Sequence, residues 1–153
     1  GSNSLGGIGL GHEGKGYLLK PVFYQVCQSV ACGYSITIII DHQGYMWASG
    51  RNNRGQLGSD NKDTKITFER MGTQKFLMVA CGQDHTIAID EEKRLWSCGA
   101  NSWGEQGFPQ RFQRDDVTEL TLAPIPYVDR LMNCAVERPI VKTKNSRNTA
   151  LLL

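Results

Sequence analysis

The usual markers of chemistry are scarce in this 153-residue sequence. It has 3 histidines, and its 5 cysteines form no Cys-x-x-Cys pair. A metal site needs three or four converging ligands, so His12, His42 and His85, with cysteines at no recognised spacing, raise no expectation of a metal. Neither sign of charge dominates: 17 Lys and Arg against 15 Asp and Glu leave +2. Nothing in that balance marks a nucleic-acid or membrane surface. The basic residues Arg138, Lys142, Lys144 and Arg147 are interleaved with apolar ones, which suits a strand edge better than a phosphate-binding stripe. Long apolar runs are missing too. Ile36 to Ile40, with Thr37 inside it, and Phe76 to Ala80 both fall far short of the roughly 20 residues that a membrane helix needs. No Asn-x-Ser/Thr acceptor occurs, and no secretory signal is legible at the start. The cysteines form an odd set (Cys27, Cys32, Cys81, Cys98, Cys134); two of them, Cys32 and Cys81, hold equivalent positions beside small residues as buried thiols do, and a reducing cytoplasm or nucleus is expected.

What the chain does have is self-similarity. Val79 to Gly107 repeats Val30 to Gly58 without a gap, 49 residues later, with 13 of 29 positions identical. Chance at ordinary composition would give about two. The shared residues are Val30/Val79, Ala31/Ala80, Cys32/Cys81, Gly33/Gly82, Thr37/Thr86, Ile38/Ile87, Ile40/Ile89, Asp41/Asp90, Trp47/Trp96, Gly50/Gly99, Asn52/Asn101, Gly55/Gly104 and Gly58/Gly107. Within each copy apolar residues alternate with period 2, which argues for strands. Leu95-Trp96, Phe76 to Ala80 and a segment around Thr67 to Met71 supply the rest of a four-stranded unit. Such a unit is one blade of a β-propeller, so the expected class is all-β, built of four-stranded antiparallel blades with a 49-residue repeat. Gly50, Gly55 and Gly58, with their counterparts Gly99, Gly104 and Gly107, suit positive φ at turns that Asn52 and Asn101 can cap. Trp47 and Trp96 are expected as buried fillers between blades, with their indole N–H groups hydrogen-bonded.

The pattern VACGxxHTxAID followed by LWxxGxNxxGxxG resembles the repeat of the regulator of chromosome condensation family. That resemblance implies a seven-bladed propeller. Seven blades of 49 would need about 340 residues, so the chain is expected to be an incomplete ring, with the remaining blades from the same longer protein. The expected division is residues 1–29, the end of a preceding repeat and an outer strand; 30–78, repeat one; 79–127, repeat two with the start of an insertion; and 128–153, a partial third repeat.

Taken in order, Gly1 to Gly9 spells the GxNxxGxxG turn of an earlier repeat. Gly9 to Lys15 then satisfies both GxGxxG and GxxxxGK. A phosphate loop needs a helix after it and Ser or Thr after the Lys. Here Gly16 follows Lys15 and Pro21 follows soon after, so an inter-strand loop without nucleotide is the expectation. Pro21 to Cys27 fits an outer strand. Ser59 to Lys65, Asp90-Glu91-Glu92 and Asp115-Asp116 read as solvated turns. In the third repeat Asn145 to Leu152 follows the pattern of Gly82 to Ile89, with Thr149 on Thr86, at a spacing of 63.

Function is expected to be non-catalytic, without cofactor or metal: an interaction module that holds another protein on blade-end loops. His85 is expected to be structural, its ring bonded to backbone near its own turn, and Ile36 replaces it in the first repeat. The resemblance also implies, as alternatives, a guanine nucleotide exchange factor for a Ran-like small GTPase, or a substrate-recognition or scaffold propeller of a ubiquitin ligase or kinase. Neither membrane nor direct nucleic-acid contact is expected. The candidate partner-contact residues are Trp103, Phe108, Arg111, Phe112, Arg114, Asp115 and Asp116, because the interval after Gly107 is longer than the one after Gly58. Its aromatic and Arg side chains have no alternating pattern to bury them.

Overall fold

The computed structural model describes residues 2–15, 19–107 and 123–124. Among these residues every regular element is a strand: β1 (Ser2–Asn3), β2 (Gly14–Lys15), β3 (Cys27–Cys32), β4 (Ile36–Asp41), β5 (Tyr45–Gly50), β6 (Lys65–Cys81), β7 (His85–Asp90), β8 (Leu95–Gly99) and β9 (Ala123–Pro124). β3 to β9 form one antiparallel sheet in sequence order, and β1 pairs with β2 separately.

The sheet is two blades joined through β6, whose 17 residues serve both. Its first part is the outer strand of blade one, where Ala48 faces Glu69 and Trp47 faces Arg70. Its last part is the inner strand of blade two, where Val79 faces Ala88 and Cys81 faces Thr86. Between them the ladder steps from Arg70 to Lys75 while β5 moves only from Trp47 to Tyr45. The surplus residues include Gly72 at φ 66° and turn the strand into the next blade. The two blades keep one register, since Thr37 faces Ser49 as Thr86 faces Cys98, and Ile38 faces Ala48 as Ile87 faces Ser97. A 49-residue period in sequence has become a repeated hydrogen-bond ladder.

The core fills the space between blades. Ile36, Ile38, Ile40, Met46 and Ala48 of blade one pack with Phe76, Val79 and Ala88, joined by Leu57 and Met71. Branched Ile side chains fit a pleated surface, and burying each contributes about 1.5–3 kcal/mol. The opposite face of β3 lacks such cover among the described residues. Val30 is 62% exposed where its counterpart Val79 is 7% exposed. The expectation of a buried thiol fails at Cys32 for the same reason: Cys27 and Cys32 on β3 are exposed, whereas Cys81 is half-buried and Cys98 is buried.

Polar contacts lock each blade onto the turn before it. Thr37 Oγ1 donates to the Gly7 carbonyl at 2.6 Å, with Ser49 Oγ at 3.4 Å from the same oxygen. One blade later Thr86 Oγ1 donates to the Gln56 carbonyl at 2.7 Å, joined by Cys98 Sγ at 3.6 Å. Each turn is capped from within: the N–H groups of Ile8, Leu57 and Gln106 donate to the side-chain oxygens of Asn3, Asn52 and Asn101. Gly50 and Gly99 close the strands at φ 110° and 104°. A Cβ there would come 2.0 Å from the Ser35 carbonyl and 2.4 Å from that of Asp84, so no other residue fits.

Trp47 and Trp96 occupy equivalent places as expected, but they are half-buried rather than buried. Each lies edge-on to a phenylalanine, Trp47 to Phe23 at 5.3 Å and Trp96 to Phe76 at 6.1 Å. Their indole N–H groups donate to Asp41 Oδ2 at 2.8 Å and Asp90 Oδ2 at 2.7 Å. Asp90 is thus no solvated turn residue. It is fully buried and also receives Glu92 N, Arg94 N and Arg94 Nε, whereas Glu91 and Glu92 are exposed. Residues 21–24 carry no ladder, and the strand begins only at Cys27, so the outer strand expected over Pro21 to Cys27 is absent. Gly14-Lys15 instead pairs with Ser2-Asn3. Gly9 to Glu13 is an inter-strand segment that packs on β6 through the Gly11 N–H to Ile66 carbonyl bond.

Candidate functional site

Four connections meet at one end of the blades. They are the β3–β4 turn, the β6–β7 turn, and the loops 51–58 and 100–107. Backbone bonds tie them in pairs, Arg51 N to the Ser35 carbonyl at 3.0 Å and Ala100 N to the Asp84 carbonyl at 2.7 Å. Between blades, Arg51 Nη1 lies 3.3 Å from Asp84 Oδ1 and Gln56 Nε2 donates to the same oxygen at 3.4 Å. The end is therefore a rigid platform carrying variable side chains, the arrangement in which loops serve binding.

Trp103 is the most conspicuous of those side chains, at 86% exposure. Its own backbone is fixed, since Trp103 N donates to Glu105 Oε2 at 2.8 Å, as Arg54 N donates to Gln56 Oε1 at 2.9 Å one repeat earlier. Trp103 and Arg54 are equivalent by register and line one cleft of about 230 Å³ with Gln83, Asp84, His85 and Glu105. Tyr34, 61% exposed, sits on the neighbouring turn. The register explains the exposure: a position that accepts Arg54 in one repeat and Trp103 in the next faces away from the core. A larger cleft of about 330 Å³ lies beside the first part of β6, where Lys65 and Glu69 already pair at 3.0 Å.

His85 lies at the base of the first cleft, 5% exposed. Its ring rests on Gly82, where an added Cβ would come 2.1 Å from Cε1. The ring is buried, but among the described residues no backbone bond holds it, contrary to expectation; packing on Gly82 does. Burial pushes its pKa below the usual histidine value, while Glu105 and Asp84 pull the other way. A neutral imidazole is the resting form. The cysteines nearby are poor nucleophiles, because burial pushes the Cys81 thiol up to about 12 and raises that of Cys98 as well. Among the described residues no group of three His, Cys, Asp or Glu converges as metal ligands.

Of the sequence candidates, only Trp103 falls within the described residues. Phe108, Arg111, Phe112, Arg114, Asp115 and Asp116 lie outside them, as do Cys134 and the third-repeat segment. Sequence reasoning passed over Gln56 and Asp84, which join the blades here, and Glu105, which braces its own turn. The signal was present, because the first and last are the same repeat position with different chemistry. Asp41 and Asp90 were likewise identifiable as a shared Asp six residues before a shared Trp.

Comparison with known proteins agrees with this geometry. The model of the Regulator of chromosome condensation (RCC1) repeat matches residues 43–89, and a second model of the same description matches 27–56 and 79–105. The X-linked retinitis pigmentosa GTPase regulator of Mus musculus is 34% identical over 76 residues, covering 46% of this chain and 7% of that protein. Among solved structures, human WBSCR16 superposes with a TM-score of 0.66 at 16% identity, over 81% of this chain and 33% of that one. Prp20p of Saccharomyces cerevisiae, whose binding properties to Gsp1p and histones accompany its structure, gives 0.63 at 21% identity over 82% and 33%. At such identities the structural likeness concerns the fold.

Proposed function

Because residues 27–105 of this chain are regulator of chromosome condensation repeats, we propose that it works as a non-catalytic protein-interaction module, holding a partner at the turn end of blades one and two. The observation that carries this is Trp103: a large aromatic 86% exposed on a backbone clamped from beneath. Large rigid aromatics are enriched where interfaces concentrate their energy. The proposal extends to Phe108, Arg111, Phe112, Arg114, Asp115 and Asp116, which follow this loop in the sequence. The test compares partner capture and melting temperature for Trp103→Ala and for a triple Ala replacement of Arg111, Phe112 and Arg114. Lost capture with an unchanged melting temperature supports the reading; unchanged capture with a lowered melting temperature leaves these residues as an edge cover.

A second reading, guanine nucleotide exchange on a Ran-like small GTPase, is favoured by the relative named as a GTPase regulator. Exchange factors act by binding the nucleotide-free GTPase better than the loaded one, which needs surface complementarity and no covalent step. Release of a fluorescent guanine nucleotide from a Ran-type GTPase, with and without the chain, separates the two readings.

A further inference from the structure

Blade two lines the cleft beside Trp103 with side chains that the first repeat does not use. Asp84, Ala100, Trp103 and Glu105 stand where the first repeat has Ser35, Arg51, Arg54 and Gln56. All four differences run the same way: two carboxylates are gained and two guanidiniums are lost. The turns do not need the change, because Gln56 Oε1 accepts Arg54 N at 2.9 Å just as Glu105 Oε2 accepts Trp103 N at 2.8 Å. Backbone closure is shared as well, from Arg51 N to the Ser35 carbonyl and from Ala100 N to the Asp84 carbonyl. The added negative charge therefore does nothing for the turn itself. Arg51 Nη1 already lies 3.3 Å from Asp84 Oδ1, whereas among the described residues no ion pair engages Glu105.

A buried group points the same way. His85 is 5% exposed, lines the cleft and rests its ring on Gly82, and among the described residues no hydrogen bond engages that ring. A neutral imidazole keeps one nitrogen as an acceptor. An exposed indole, an unpaired carboxylate and an imidazole acceptor suit a guest that is flat, cationic and rich in N–H donors, which describes a guanidinium better than an ammonium. The volume of about 230 Å³ falls below the roughly 300–1,000 Å³ of sites that enclose a whole small molecule, so it suits one side chain. Building on the interaction reading of Trp103, we propose that this cleft receives an arginine side chain of the partner protein, its guanidinium stacked on Trp103 and bonded to Glu105, with His85 accepting beneath. Arg54, exposed on the other lip and in no ion pair among the described residues, opposes a cation there.

The test titrates the 153-residue chain with three end-capped tripeptides, Gly-Arg-Gly, Gly-Lys-Gly and Gly-Glu-Gly, and follows the Trp103 indole and the backbone amides of 104–106 by NMR. The arginine peptide should bind saturably, about threefold more tightly than the lysine peptide, with the glutamate peptide weaker still. Glu105→Gln leaves an oxygen for the turn amide, as Gln56 does, and should weaken arginine binding roughly three- to fivefold. Arg54→Gln should strengthen it about twofold, and Trp103→Ala should weaken it about threefold. Tighter binding of the glutamate peptide, or weaker arginine binding by Arg54→Gln, makes the cleft an anion site and overturns the proposal. So does the absence of a saturable shift with the arginine peptide, or unchanged affinity in Glu105→Gln. If Glu105→Gln does not fold, Arg54→Gln decides, since its side chain is exposed. The two readings fail separately. Partner capture retained by Trp103→Ala removes the interaction surface itself; capture lost by Trp103→Ala but undiminished in Glu105→Gln leaves the surface and removes the arginine from it.

Discussion

Asp90→Ala tests the two-blade reading most directly, because this side chain holds the turn between β7 and β8 together. It is fully buried and accepts Glu92 N at 2.9 Å, Arg94 N at 2.8 Å, Arg94 Nε at 2.7 Å and Trp96 Nε1 at 2.7 Å. Removing the carboxylate strands a half-buried indole N–H, at about 1–2 kcal/mol, and two turn amides, at about 0.5–1.5 kcal/mol each. The Arg94 pair adds little, since its side chain is 46% exposed and water screens it. The expected loss is about 3 kcal/mol, a large share of a total near 5–15 kcal/mol, and shifts the melting temperature by roughly 6–12 °C. The acid dependence adds a second readout. Burial alone would raise the Asp90 pKa, but the bonds from Arg94 and Trp96 outweigh it and hold the group below the usual carboxylate range. A depressed carboxyl contributes stability that is present above the unfolded value, near pH 3.9, and lost as pH falls through the folded one. Urea unfolding followed by circular dichroism should therefore show a neutral-pH loss for Asp90→Ala and a flatter profile below about pH 4. A loss under 1 kcal/mol, or an acid limb as steep as that of the parent chain, would refute the hub.

Trp103→Ala should leave the melting temperature within about 1 °C while reducing partner capture, since an exposed side chain carries little folding energy. His85→Gln should lower stability through lost packing on Gly82 and flatten its pH dependence. With the pKa of this base depressed by burial, its stability contribution is complete above about pH 6.5 and declines as pH falls below that. Thr86→Val should cost about 1–2 kcal/mol, because it leaves the Gln56 carbonyl to Cys98 alone among these two donors, with Gly99→Ala costing more through strain and the clash with the Asp84 carbonyl. Both are read by denaturant midpoint.

The local part of this protein was legible in its sequence. Period-2 alternation, a gapless 49-residue repeat and paired glycines sufficed for strands, blade and turn, because each depends on backbone geometry within a few residues. Asn52 and Asn101 were identifiable as caps on the same ground. What only the tertiary structure decided concerns faces and partners across blades. Val30 and Val79, Cys32 and Cys81 are identical residues in identical local settings, yet one of each pair is exposed because burial depends on the blade laid against it. Asp90 looked like part of an acidic turn until the fold turned its carboxylate toward Trp96. His85 looked like a ring held by the backbone of its own turn, and among the described residues what holds it is packing on Gly82. The bond from Gln56 to Asp84 spans 28 positions along the chain. No spacing rule predicts it, because a contact of that kind arises from how one blade rotates against the next rather than from the period of either.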